Sequence, residues 1–76
     1  MADTRTKLFS VIANSLDISV EQVNDNLALG SIPEWDSLAH VKLISEIENA
    51  FDMQIDLEKL MDIEDVGDLL NIVGER

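Results

Sequence analysis

Apolar residues recur at intervals of three and four along most of the chain, which is the spacing of one face of an α-helix. The first stripe predicts a helix from about Thr4 to Leu16, with Asp3 or Thr4 available as its N-cap. The stripe consists of Leu8, Val11, Ile12, Ser15 and Leu16. Phe9 lies beside it, and we expect this side chain to fill the core rather than to bind a ligand.

A second stripe predicts the central helix, which runs from Leu38 to about Phe51. The stripe consists of Leu38, Val41, Ile44, Ile47 and Phe51. Ala39 and Leu43 widen the apolar arc. We therefore expect this helix to contact more than one neighbouring helix.

Two further helices are predicted in the C-terminal third of the chain. Asp56 precedes a run of helix formers and predicts a short third helix that ends near Met61. The last helix is indicated by Val66, Leu69, Leu70 and Val73. The acids Glu64 and Asp65 precede it, where negative charge favours a helix start. Gly67 inside this stripe predicts a close contact between helices rather than a ligand site.

The connection between Leu16 and Asp36 is too long to be structureless in a small domain. Ser19 is followed three residues later by Gln22, a capping-box pattern that predicts one helical turn through Val23. The rest of the connection is predicted to be irregular but ordered, held by the apolar anchors Leu27, Leu29 and Ile32.

No segment alternates apolar and polar residues for long enough to predict a strand. The predicted fold class is therefore all-α. We expect a four-helix bundle with three longer helices, one short third helix and a long ordered first loop.

The length of 76 residues predicts a single domain over residues 1–76. A chain this short buries only about 60–65% of its unfolded surface, so binding or carrying is a more probable task than catalysis in a deep pocket. The absence of cysteine excludes disulfides and cysteine nucleophiles. No apolar run approaches the roughly 18 residues that span a bilayer, and the first residues lack the apolar core of a signal peptide, so a cytoplasmic location is expected.

Sixteen acidic and five basic residues give the chain a net charge of −11. This charge repels nucleic acid and anionic membranes, and it favours partners with basic surfaces. Taken alone, it is better explained by the solubility of a small helical domain. We expect no bound metal, because His40 is the sole histidine and no cysteine accompanies it. We expect the protein to be a monomer.

The stretch Glu34-Trp35-Asp36-Ser37-Leu38 joins the first loop to the central helix. The Asp36 carboxylate can accept the unpaired N–H groups of the first helical turn, which leaves the Ser37 hydroxyl free to point outward. A phosphate ester on Ser37 would lie at the positive end of the helix dipole.

This stretch resembles the attachment site of the acyl carrier protein family, in which an Asp-Ser-Leu at the start of the second helix carries 4′-phosphopantetheine on the serine. The resemblance extends from Leu8 to Val73. It implies that Ser37 is the attachment point and that Asp36 and Leu38 flank the site. It also implies a non-catalytic carrier that tethers acyl intermediates as thioesters in fatty acid, polyketide or related specialised biosynthesis.

The implied partners are a phosphopantetheinyl transferase and acyl-loading and acyl-processing enzymes with basic docking faces. The residues that the resemblance implies for partner recognition are Trp35, Leu38, Val41, Lys42 and Glu48. Leu38 is either an edge of the core or an apolar contact for partners, and we favour the contact. Trp35 either packs over the end of the bundle or flanks the prosthetic group, and we favour packing. His40 is expected at the surface.

The sequence also departs from carriers of bacterial fatty acid synthesis, in which the glycine lies closer to the serine and the second helix opens with more acids. Here six residues separate Gly30 from Ser37, and the helix opens with Ala39, His40 and Lys42. These features are more similar to specialised or polyketide-type stand-alone carriers. The alternative function is an unmodified acidic helical adaptor that docks basic partner proteins.

Overall fold

The computed structural model describes residues 3–74, and the ends of the predicted domain at 1–2 and 75–76 lie outside this range. Within residues 3–74 the helices are α1 (Thr4–Leu16), a 3-10 helix (Val20–Gln22), α2 (Ser37–Phe51), α3 (Leu57–Asp62) and α4 (Val66–Gly74). No strand forms in this range, where the only extended pairing is an isolated bridge between Ala28 and Asp65. The predicted all-α four-helix bundle with a short third helix is confirmed.

Local capping explains why the predicted helix bounds are close to the observed ones. The Asp3 carboxylate accepts the Thr6 N–H at 2.7 Å, which starts α1 and lowers the pKa of the Asp3 carboxyl. Asp17 ends α1 and Asp52 ends α2, each in the left-handed conformation with φ of 57° and 51°. Aspartate tolerates this conformation better than most residues other than glycine. Relative to the predictions, α2 begins one residue earlier and α3 ends one residue later.

The core lies between α1, α2 and α4, and α1 makes its most extensive contact with α2. Each fully buried aliphatic side chain contributes roughly 1.5–3 kcal/mol to folding. The completely buried aliphatic residues are Leu8, Ile12, Leu43, Ile47, Val66 and Leu69. Phe9 packs against this core, as predicted, while the Arg5 guanidinium lies over its ring. None of the helices in residues 3–74 is long and apolar enough to cross a membrane.

The buried face of α2 differs from the predicted stripe in its first two turns. Leu38 is 85% exposed and Val41 is 61% exposed, whereas His40 and Leu43 are buried. The predicted apolar stripe therefore does not coincide with the buried face at Leu38 and Val41, and the exposure of Leu38 agrees with the favoured interpretation of this residue as an apolar contact rather than an edge of the core. Steps of three residues advance about 300° around a helix, so a row with this spacing drifts by about 60° at each step.

The first connection is ordered, as predicted, but one of its predicted anchors is not. The Ser19 N–H donates to Gln22 Oε1 at 3.2 Å and starts the 3-10 helix. Leu27 is buried and Ile32 is partly buried. The Leu29 side chain is 38% exposed, so its prediction as an apolar anchor was wrong. The backbone of Leu29, rather than its side chain, holds this residue in place.

Residues 25–29 of this connection pair with residues 64–67 at the start of α4, and we call these two segments the loop–α4 clamp. Its backbone hydrogen bonds run from Leu29 N–H to Glu64 C=O at 2.7 Å, from Val66 N–H to Leu27 C=O at 2.9 Å, and from Gly67 N–H to Asp25 C=O at 3.1 Å. The clamp satisfies N–H groups that a helix start leaves unpaired. It thereby fixes the loop against the last helix.

Gly67 lies at one end of the clamp, where its N–H donates to the Asp25 carbonyl. A Cβ atom added at this position would lie 3.2 Å from Asp65 Oδ1 and 3.6 Å from the Asp25 carbonyl oxygen. The close contact predicted at Gly67 therefore exists, but its nearest neighbour is the Asp65 carboxylate just before α4, with the backbone of the first loop at ordinary van der Waals distance, rather than another helix. The prediction of a helix contact was wrong because the sequence gives no sign of this pairing.

Candidate functional site

Ser37 is the first residue of α2, and Asp36 is the N-cap. Asp36 Oδ1 accepts the Ala39 N–H at 2.9 Å, and the Asp36 carbonyl accepts the His40 N–H at 2.8 Å. Asp36 is extended, with φ of −105°, so the chain turns sharply into the helix at this residue. The cap forms as predicted.

This cap leaves the Ser37 hydroxyl available. The residue is exposed, and its oxygen makes no hydrogen bond to another side chain or to the backbone anywhere in residues 3–74. The helix behind it is 15 residues long, and the backbone dipoles at its N-terminus favour an anion. An exposed hydroxyl in this position fits a phosphodiester, and therefore fits the phosphopantetheine group.

Trp35 lies two residues before Ser37, and its side chain is completely buried. Its Nε1–H donates to His40 Nδ1 at 3.0 Å, and the two rings stack with their centroids 6.0 Å apart. The favoured prediction that Trp35 packs in the bundle agrees with this burial. Its predicted roles in recognising partners or flanking the prosthetic group require an accessible side chain, which Trp35 does not have.

His40 was expected at the surface, and this prediction was wrong because only 8% of the residue is exposed. Since Nδ1 accepts a hydrogen bond, the ring is neutral and carries its proton on Nε2. Burial lowers the pKa of the His40 imidazole, an effect that the backbone carbonyl of Leu60 opposes. This carbonyl is not in hydrogen-bonding geometry, and the buried Nε2 has no partner among the described residues.

His40 therefore does not act as a general base for Ser37. Its acceptor nitrogen is occupied by Trp35, and no other histidine occurs in the chain. Nor does any group of three or more histidine or acidic side chains within 3–74 have the arrangement needed to hold a metal ion. The burial of His40 could have been recognised from the sequence, because residue 40 has helical spacing to the buried residues Leu43, Ile44 and Ile47.

The other residues predicted to recognise partners differ in how exposed their side chains are. Leu38, Val41 and Lys42 are exposed along the first two turns of α2. Glu48 is half-buried, and its Oε2 accepts the Ile55 N–H at 2.8 Å, so it holds the connection to α3. We call Leu38, Val41 and Lys42 the α2 surface.

Sequence reasoning did not identify two further exposed apolar residues on α3. Leu57 is 69% exposed and Met61 is 77% exposed. A helix of six residues is too short for its apolar spacing to separate buried from exposed positions. No signal in the sequence would have distinguished them from core residues.

Comparison with known proteins gives one consistent family. The family model described as "Phosphopantetheine attachment site" matches residues 6–73. An acyl carrier protein of Chloroherpeton thalassium is 30% identical over 74 residues, which cover 97% of this chain and 92% of that protein. An acyl carrier protein of Chlorobium luteolum is 31% identical over 72 residues, covering 91% and 92%. The chain therefore belongs to the phosphopantetheine-attachment family of acyl carrier proteins, which carry this covalent group and do not themselves catalyse a reaction.

Proposed function

We propose that Ser37 carries 4′-phosphopantetheine and that the protein presents acyl groups, held on this arm, to successive biosynthetic enzymes. The observation that carries this proposal is the exposed Ser37 hydroxyl at the first position of α2, left free by the Asp36 cap. We place the protein in the cytoplasm as a monomeric, single carrier domain over residues 1–76.

This chain supplies the hydroxyl that accepts the prosthetic group, and its fold positions that hydroxyl. Ser37 Oγ forms the new phosphodiester bond by displacing the rest of coenzyme A at its pyrophosphate. The base that takes the serine proton belongs to a separate phosphopantetheinyl transferase, because His40 Nδ1 is occupied. When bound, the group supplies a thiol that holds an acyl group as a thioester, which this cysteine-free chain cannot do itself.

We assign partner recognition to Asp36 and to the α2 surface of Leu38, Val41 and Lys42. Apolar side chains beside the attachment point can enter a partner's pocket, and a few such anchors that fill pockets can dominate the binding energy of an interface. The chain's net charge of −11 steers partners with basic docking faces towards it. Trp35 and Glu48 are left out because one is buried and the other holds the α3 connection.

Intact mass spectrometry tests the attachment. The protein is incubated with coenzyme A, magnesium and a broad-specificity phosphopantetheinyl transferase. We expect the wild type to gain one arm, Ser37→Ala to gain none, and the control Ser45→Ala, at another exposed serine of α2, to gain one. Circular dichroism of Ser37→Ala should match the wild type, because the hydroxyl makes no contact in the core. A wild type that gains no mass would favour the alternative, an unmodified acidic adaptor.

We further infer a specialised or polyketide-type pathway rather than housekeeping fatty acid synthesis. The support is the exposed positive charge of Lys42 and the half-buried Ala39, at positions where fatty acid carriers often have acids. His40 no longer supports this inference, because it does not face partners. Replacing His40 with an acid would bury a carboxylate, so such a variant would report on stability rather than on partner recognition.

Lys42→Glu should therefore raise kcat/KM with a malonyl transferase of fatty acid synthesis. One exposed ion pair contributes about 0.2–1 kcal/mol, so the expected gain is up to about fivefold at low salt and smaller at moderate salt. Lys59→Glu on α3, also exposed, is the control and should change the rate less. If the malonyl transferase used the unaltered protein and a fatty acid carrier at equal rates, the inference of a specialised pathway would be wrong. The chain would then be assigned to housekeeping fatty acid synthesis.

A further inference from the structure

Trp35 and His40 occupy two positions that together fix the start of a helix. Trp35 directly precedes the N-cap Asp36, and His40 is the fourth residue of α2. Apolar side chains at these positions often pack together and set the direction in which the chain enters the helix. In this chain the pair adds a hydrogen bond of 3.0 Å between Trp35 Nε1 and His40 Nδ1. Ser37 lies between them.

Burial makes this hydrogen bond hard to replace. Trp35 is completely buried and His40 is 8% exposed, so water cannot readily substitute for either partner. If one side chain were made apolar, the polar atom of the other would remain buried without a partner, which is costly. The pair therefore restrains the chain more tightly than an apolar contact at the same positions.

The backbone of Trp35 is held on both sides as well. Its N–H donates to the Ile32 carbonyl at 3.2 Å, and its carbonyl accepts the Gly30 N–H at 2.9 Å. The side chain of Trp35 thus connects the end of the first loop to the first turn of α2. The Asp36 cap restrains the same turn, but it does so from an exposed position.

We propose that Trp35 and His40 form a hydrogen-bonded staple that positions Ser37 for attachment of the prosthetic group. This proposal rests on the proposed function of Ser37. Both are positioning residues, since neither side chain has enough exposed surface to reach coenzyme A or the transferase. They act on the reaction through the placement of the first turn of α2.

Two replacements of His40 separate the hydrogen bond from mere packing. His40→Leu removes the acceptor, whereas His40→Asn places an amide oxygen near the position of Nδ1. We expect kcat/KM of the transferase to fall about tenfold in His40→Leu and to recover largely in His40→Asn. The indole N–H resonance of Trp35 should shift in His40→Leu, and the backbone amides of residues 39 and 40 should exchange with solvent faster.

Val73→Ala, a core truncation in α4, is the control for lost stability, and all rates are measured where circular dichroism shows each variant folded. The proposal is overturned if His40→Leu is modified no more slowly than Val73→Ala, or if His40→Asn fails to recover. If the wild type itself gains no arm, the proposed function fails and the amide exchange decides the staple alone. Exchange at residues 39 and 40 that is no faster in His40→Leu than in Val73→Ala would then overturn it.

Discussion

Trp35→Ala is expected to lower the free energy of unfolding by about 3–5 kcal/mol. Trp35 is the largest fully buried side chain in residues 3–74, and its removal leaves a cavity that a small bundle cannot fill by local adjustment. The change also leaves His40 Nδ1 without its donor. A domain of this kind has a total stability of about 5–15 kcal/mol, so the variant should be partly unfolded at moderate temperature.

Urea denaturation followed by circular dichroism at neutral pH measures this loss. Leu57→Ala is the matched control, because Leu57 is 69% exposed on α3, and its replacement should change stability by no more than about 0.5 kcal/mol. If Trp35→Ala lost less than about 1 kcal/mol, the tryptophan would not be part of the core.

Leu38→Asp is expected to lower kcat/KM of the phosphopantetheinyl transferase at least about tenfold without reducing stability. Leu38 is 85% exposed and directly follows Ser37, so a partner that reaches the serine must cover it. A central residue that fills a pocket at an interface contributes more than about 1.4 kcal/mol when it is one of the few dominant contacts, and this corresponds to a tenfold change. Because an acid in the first turn is favoured by the helix dipole, the fold itself should not be weakened.

Rates are compared with those of Val20→Asp, which makes the same chemical change at a 45% exposed residue of the 3-10 helix. Both variants add one negative charge, so a difference between them reports on contact rather than on net charge. If Leu38→Asp and Val20→Asp were modified equally fast, docking would not use the α2 surface at Leu38.

The features that the sequence predicted well are those determined by neighbouring residues. Asp3 and Asp36 cap helices that begin just after them, and the Asp36 cap leaves the adjacent Ser37 hydroxyl free. Capping depends on residues within one turn, so it can be read directly from the order of side chains. The starts of α1 and α2 and the exposed position of Ser37 follow from this local information.

The features that the sequence missed depend on contacts between distant segments or on an unusual choice of residue. His40 was assigned to the surface, although it lies in the core with Trp35 donating to its Nδ1. Glu48 was predicted to recognise partners, yet its carboxylate accepts a backbone N–H seven residues later. Gly67 packs beside the Asp65 carboxylate and the backbone of a loop that periodicity does not describe.

The loop–α4 clamp determines when the first connection can become ordered during folding. It joins residues 25–29 to residues 64–67, which are far apart in the chain, and closing so long a loop carries an entropic cost that only the finished contact offsets. The first connection therefore reaches its final conformation only once the last helix is available. During synthesis the start of α4 must leave the ribosome before the clamp can close, so the loop that leads to Ser37 is completed late rather than progressively.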